Sequence, residues 1–160
     1  MLLSPIGIFH TVLGIAAMLA VGVLLVQDKR IRLQRPLARF YLGATVLTAA
    51  SALVIFRHGG PNAAHGLAVL TIVAVLLGIA ASRVSFLGGL QKYFVALCFS
   101  VTVLFHLLPT ATEILTRFPM DAPMVGSLQD PLLLKTFAVI TLLFFIMLAL
   151  QMNWLRKQSV

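Results

Sequence analysis

The sequence predicts an all-α, polytopic transmembrane helical bundle of five spans, its N-terminus outside and its C-terminus inside. Composition is the first reason. Of 160 residues, 61% are hydrophobic and 10% charged, with a mean hydropathy of +1.07. A soluble domain carries about a quarter charged residues, so polar side chains here are too few to cover a water-exposed globule. Run length is the second reason, because several apolar runs approach or exceed the roughly 20 residues that cross about 30 Å of hydrocarbon. Charge distribution is the third, and it sets the orientation.

The elements follow from local punctuation, and together they form one transmembrane domain over residues 1–160. The first span is expected over about 5–27, opened by Ser4 as N-cap and Pro5 in the first turn. It has no basic segment before it and reads as a retained helix instead of a cleaved signal peptide. The second is expected over about 38–57 and the third over about 64–82, separated by Gly59-Gly60-Pro61-Asn62, which cannot continue a helix. Gly88-Gly89 punctuates the next loop, and the fourth span is expected over about 91–109, ending at Pro109. Pro119, Pro123 and Pro131 then break up an outer loop of residues 110–131, before a fifth span over about 132–155.

Nine of the twelve basic residues fall at one end of this arrangement: Lys29, Arg30, Arg32, Arg35, Arg39, Arg83, Lys92, Arg156 and Lys157. The other end holds Arg57, Arg117 and Lys135 together with Glu113, Asp121 and Asp130, three of the four acids. Lys and Arg mark cytoplasmic loops, which puts the first end inside. The formal charge of +8 is therefore read as topology and not as a nucleic-acid surface. Trp154 suits an interfacial anchor at the inner end. The expected setting is the cell inner membrane, multi-pass, with the lipid bilayer as the main partner.

All four histidines then fall in the outer third. His58 and His65 flank the Gly-Gly-Pro-Asn turn. His10 lies about 7 Å into the first span and His106 about 4.5 Å from the outer end of the fourth, at 1.5 Å rise per residue. An imidazole in apolar surroundings usually faces the bundle interior and is costly without a partner. Histidines at matched depth on facing helices are how b-type cytochromes hold haem and how bundles hold metals. His10 and His106 are accordingly the expected axial ligands of a haem b used for electron transfer, with His58, His65 and Glu113 beside it or at its entry; in the alternative, a divalent metal ion is expected at His58, His65 and Glu113. Against this, no HxxxH pair, ExxH or CxxCH motif is present, and Cys98 stands alone in an apolar run.

Thr110 and Glu113 have capping-box spacing, and Glu113 precedes Arg117 by four, the favourable order for a helical ion pair. A short interfacial helix after Pro109 is expected, able to lie over the outer mouth. No ionisable residue sits at the midplane of any span, which disfavours ion-coupled transport. No Walker loop, serine elbow, HExxH or GxGxxG occurs, so the chain gives no catalytic motif and leans away from an enzyme. Small-residue rows at Ala74, Gly78 and Ser82, at Ala44, Thr48 and Ala52, and at Gly14, Ala17 and Val21 predict close packing of spans one to four. The bulky fifth span is expected at the periphery, facing lipid, a membrane-protein partner or a second copy.

The segments "FHTVLGIAAMLAVGVLLVQDKR" and "RPLARFYLGATVLTAASALVIF", within residues 9–82, resemble an uncharacterised family of small bacterial predicted membrane proteins. His10 and Gly14 match its His-x-x-x-Gly opening, and Arg39 and Tyr41 its Arg-x-Tyr-like entry to the second span. The chain departs from it at "RLQRPLAR", which lacks the family's loop histidine. The resemblance implies a bacterial inner-membrane bundle and no mechanism. Besides a haem or metal protein, two readings stand: a non-enzymatic accessory or scaffold subunit of a membrane complex, and a quinone- or lipid-binding bundle in which His10 or His106 meets a head group.

Overall fold

The computed structural model describes residues 4–56, 60, 62–85 and 87–158. Five α-helices are present among them: α1 (Pro5–Asp28), α2 (Pro36–Ala52), α3 (Ala63–Arg83), α4 (Gln91–Arg117) and α5 (Pro131–Lys157). No strand occurs among the described residues. Helix α1 begins at Ser4-Pro5 as the sequence implied, and α2 and α5 also begin on proline. Ser4 Oγ accepts from the Gly7 N–H at 3.2 Å ahead of α1, Pro36 opens α2 behind an extended Arg35, and Asp130 Oδ1 accepts from the Leu132 N–H at 2.8 Å ahead of α5.

Four of the five helices, α1, α3, α4 and α5, are long and apolar enough to cross a membrane. The exception is α2, whose 17 residues cover about 25 Å. It ends at Ala52 and not near residue 57, because Leu53, Val54 and Ile55 leave the helix through turn-type bonds to the carbonyls of residues 50–52. Apolar character alone does not distinguish a last helical turn from an apolar linker, and the β-branched pair Val54-Ile55 has weak helix preference. α2 is also the most enclosed of the elements. Ala38, Tyr41 and Thr45 have no exposed surface at all. A helix wrapped by protein can carry hydroxyl groups that lipid would not tolerate.

Polar contacts give the helix directions. His10 of α1 meets Thr48 and Ser51 near the end of α2, while at the opposite end Arg35 pairs with Asp28 at 3.0 Å and donates to Gln27 at 2.9 Å. α1 and α2 are thus antiparallel. Tyr41 and Thr45 of α2 face Thr102 and His106 of α4 in the same order, so those two helices are parallel. Ser100 and Lys92 of α4 reach Gln151 and Leu155 of α5, which makes that pair antiparallel. α3 packs on α4 through Gly78, where an added Cβ would stand 2.7 Å from Phe99 Cδ1 and 3.1 Å from Cys98 Cβ. The glycine is what lets the fully buried Phe99 ring lie against α3. α5 is the peripheral element, as expected, with 11% of its apolar window buried.

A second expectation needs correction. Pro109 does not end the fourth helix, which runs unbroken to Arg117. The loop therefore begins at Phe118, and residues 110–117 of the segment expected as an outer loop are helix. Proline removes one N–H and crowds the carbonyl four residues back, but threonine hydroxyls cover neighbouring carbonyls here. Thr110 donates to His106 O at 2.7 Å and Thr112 to Leu108 O at 3.0 Å. Thr110 is thus a mid-helix residue and not the N-cap of a new helix. The shortened loop folds back on the last turn of α4, with Val125 N–H donating to Leu115 O at 3.1 Å and its side chain buried.

Candidate functional site

α2 carries polar side chains at Tyr41, Thr45, Thr48 and Ser51, spaced by four, three and three residues. That spacing keeps them on one side of a helix with 3.6 residues per turn. α1 and α4 bring one histidine each to this stripe, and the result is a polar seam through the bundle.

On the α4 side the seam is a directional chain. Thr102 Oγ1 donates to the carbonyl of Phe99 at 2.6 Å, so its proton is already placed. Tyr41 Oη, 2.6 Å from Thr102 Oγ1, must therefore be the donor in that pair. One turn along α2 from Tyr41, Thr45 Oγ1 lies 3.1 Å from His106 Nε2. The Tyr41 and His106 rings sit 6.3 Å apart and tilted by 48°. Chains of this kind polarise one another and are stronger than isolated bonds in a low-dielectric interior. The chain ends at a backbone carbonyl, which accepts but passes no proton on.

On the α1 side, His10 Nδ1 lies 3.0 Å from Thr48 O and 3.0 Å from Ser51 Oγ, and Ser51 itself donates to Thr48 O at 2.8 Å. A carbonyl can only accept, so the His10 proton is on Nδ1 and, in the neutral ring, the lone pair is on Nε2. His10 and His106 each hydrogen-bond to the α2 stripe, His10 through Thr48 and Ser51 and His106 through Thr45.

The expected metal trio is arranged otherwise. His58 lies outside the described residues. His65 completes a capping box on α3: the Asn62 N–H donates to His65 Nδ1 at 3.3 Å, and Asn62 Oδ1 accepts from the Ala64 N–H at 2.9 Å. Its ring stacks on Phe56 at 4.9 Å and 28°. Its Nδ1 also lies 3.2 Å from Asn62 Oδ1, and its buried Nε2 has no hydrogen-bond partner among the described residues. Glu113 pairs with Arg117 one turn along α4. Among the described residues, no group of three or more His, Cys, Asp or Glu side chains is placed to hold a metal ion.

Sequence reasoning missed four participants. Tyr41, Thr45, Ser51 and Thr102 were legible only as a polar stripe at helical spacing within apolar runs, and Thr48 was read merely as small. A second buried network was missed as well. Ser100 Oγ donates to Gln151 Oε1 at 2.8 Å, and Gln151 Nε2 donates to Lys29 O at 2.8 Å, joining α4, α5 and the end of α1. In comparisons with known proteins, no family model, no curated protein and no solved structure matches this chain.

Proposed function

We propose that this protein is a non-enzymatic accessory subunit of the bacterial inner membrane, in which the histidine–hydroxyl seam holds α1, α2 and α4 in register. The observation that carries this reading is the engagement of both membrane-buried histidines by α2. Thr48 and Ser51 hold His10 through its Nδ1, and Thr45 holds His106 through its Nε2. In this reading α2 is a fifth crossing, with the N-terminus outside and the C-terminus inside. The antiparallel course of α1 and α2 and the nine basic residues at one end support that topology. Reporter fusions after Lys29 and after Asn62 test it: activity of a periplasmic reporter only at Asn62 is expected, and the reverse pattern overturns it. Affinity capture of the full chain from detergent-solubilised membranes tests the subunit assignment, with a stoichiometric membrane partner expected and its absence counting against it.

A second reading is favoured by one specific observation. The His10 Nδ1–H faces a backbone carbonyl, the outer partner that orients ligating histidines towards iron or zinc. In that reading His10 and His106 hold a haem b for electron transfer, and the seam sets their ring orientation. A Soret band that disappears in His10→Ala supports it over the scaffold reading.

A further inference from the structure

α5 packs on α4, and its buried polar tie to the end of α1 is the Gln151–Lys29 bond. Between α1 and α5 this leaves a groove of about 470 Å³. Its wall is apolar, formed by Leu25 of α1 and by Leu143, Ile146, Met147 and Leu150 of α5. Its mouth is not, because Lys29, Gln151 and Trp154 close that end. From Leu143 to Trp154 is about 16 Å at helical rise, half of the roughly 30 Å hydrocarbon thickness and so the depth of one leaflet.

The cations at the mouth are positioned and not merely nearby. Lys29 caps α1 in the left-handed region, at φ 57°, a conformation that costs a side-chain-bearing residue free energy and that glycine usually fills. Gln151 holds its carbonyl, and its ammonium lies 5.8 Å from the Trp154 ring. The Arg30 guanidinium also lies 5.8 Å from that ring. Arg30 Nε is buried without a hydrogen-bond partner among the described residues. Burial, then the neighbouring Arg32 charge, lowers the Arg30 pKa against an opposing effect of Asp28. Asp28, the acid of this corner, is paired with Arg35 at 3.0 Å.

We propose that this groove is a binding site for an anionic glycerophospholipid, its acyl chain against α1 and α5 and its phosphate between Lys29 and Arg30. Charge complementarity and leaflet-deep length select a lipid over a helix of a second copy, whose acid at this end, Asp28, is already paired with Arg35. The site lies at the basic end of the bundle, away from the histidines, and does not depend on the function proposed above.

Trp154 is the sole tryptophan of the chain and reports directly on the groove. The full chain is reconstituted in phosphatidylcholine vesicles containing graded amounts of dibrominated phosphatidylglycerol or dibrominated phosphatidylcholine, and quenching of Trp154 is read. The proposal expects the anionic lipid to compete about fivefold or more better per engaged cation. In Lys29→Gly, where the backbone strain is also relieved, the preference falls while thermal stability is kept or rises. Arg32→Gln, an equal loss of charge away from the groove, leaves the preference in place. Equal quenching by the two lipids in the unmodified chain overturns the proposal, as does an equal effect of the Lys29 and Arg32 substitutions. Weak quenching by both lipids that weakens further as protein is concentrated also overturns it, in favour of a second copy in the groove.

Discussion

Tyr41 has no exposed surface, and its phenol is hydrogen-bonded to Thr102. A hydroxyl removed from such a place leaves its partners unsatisfied, at a cost of about 1 kcal/mol or somewhat more. Tyr41→Phe and Thr102→Val are each expected to destabilise by that amount. Their double substitution is expected to cost less than the sum, which equilibrium unfolding in mixed micelles measures; strict additivity would contradict the bond. Gly78→Ala tests the closest backbone approach. Its methyl group meets Phe99, a ring with no exposed surface to move into, so a loss of about 1–3 kcal/mol is expected. Phe99→Leu in the same chain is expected to return part of that stability. The residues that carry these effects were only partly legible. The histidines stood out because they are rare and polar in apolar runs. Tyr41, Thr45 and Ser51 are ordinary residues in a helix, and only packing reveals that they face one another.

At the scale of elements, helix starts were readable because proline and short polar caps act within a few residues. Two helix ends, those of α2 and α4, were not. Pro109 looked like a stop, but Thr110 and Thr112 cover the carbonyls around it, and α4 continues to Arg117. Conversely α2 stops early within an apolar stretch. The peripheral place of α5 followed from its bulk, whereas its anchorage did not. Gln151 is 5% exposed and bonded to both Ser100 and Lys29. Gln151→Leu keeps the approximate volume but orphans a buried hydroxyl and a carbonyl, each worth about 1–3 kcal/mol. The expected outcome is a lowered unfolding midpoint with faster hydrogen exchange concentrated in α5; uniform exchange across all helices would argue that Gln151 does not anchor that helix.

For the whole molecule, the seam explains how a chain with a helix of only 17 residues can be built around that helix. The longer apolar helices α1, α3, α4 and α5 offer surface to lipid, and α2 supplies the hydrogen-bonding groups that lipid would reject. Its position between α1 and α4 turns two histidines from liabilities into bonds. The account therefore rests on one claim: His10 and His106 are bonds of the seam and not ligands. An oxidised-minus-reduced absorption spectrum of the detergent-purified protein, with metal analysis on the same sample, tests it most directly. The account predicts no Soret or α-band and no stoichiometric metal, before and after incubation with haem. A Soret band present in the unmodified chain and lost in His10→Ala and His106→Ala would contradict it and make both histidines iron ligands.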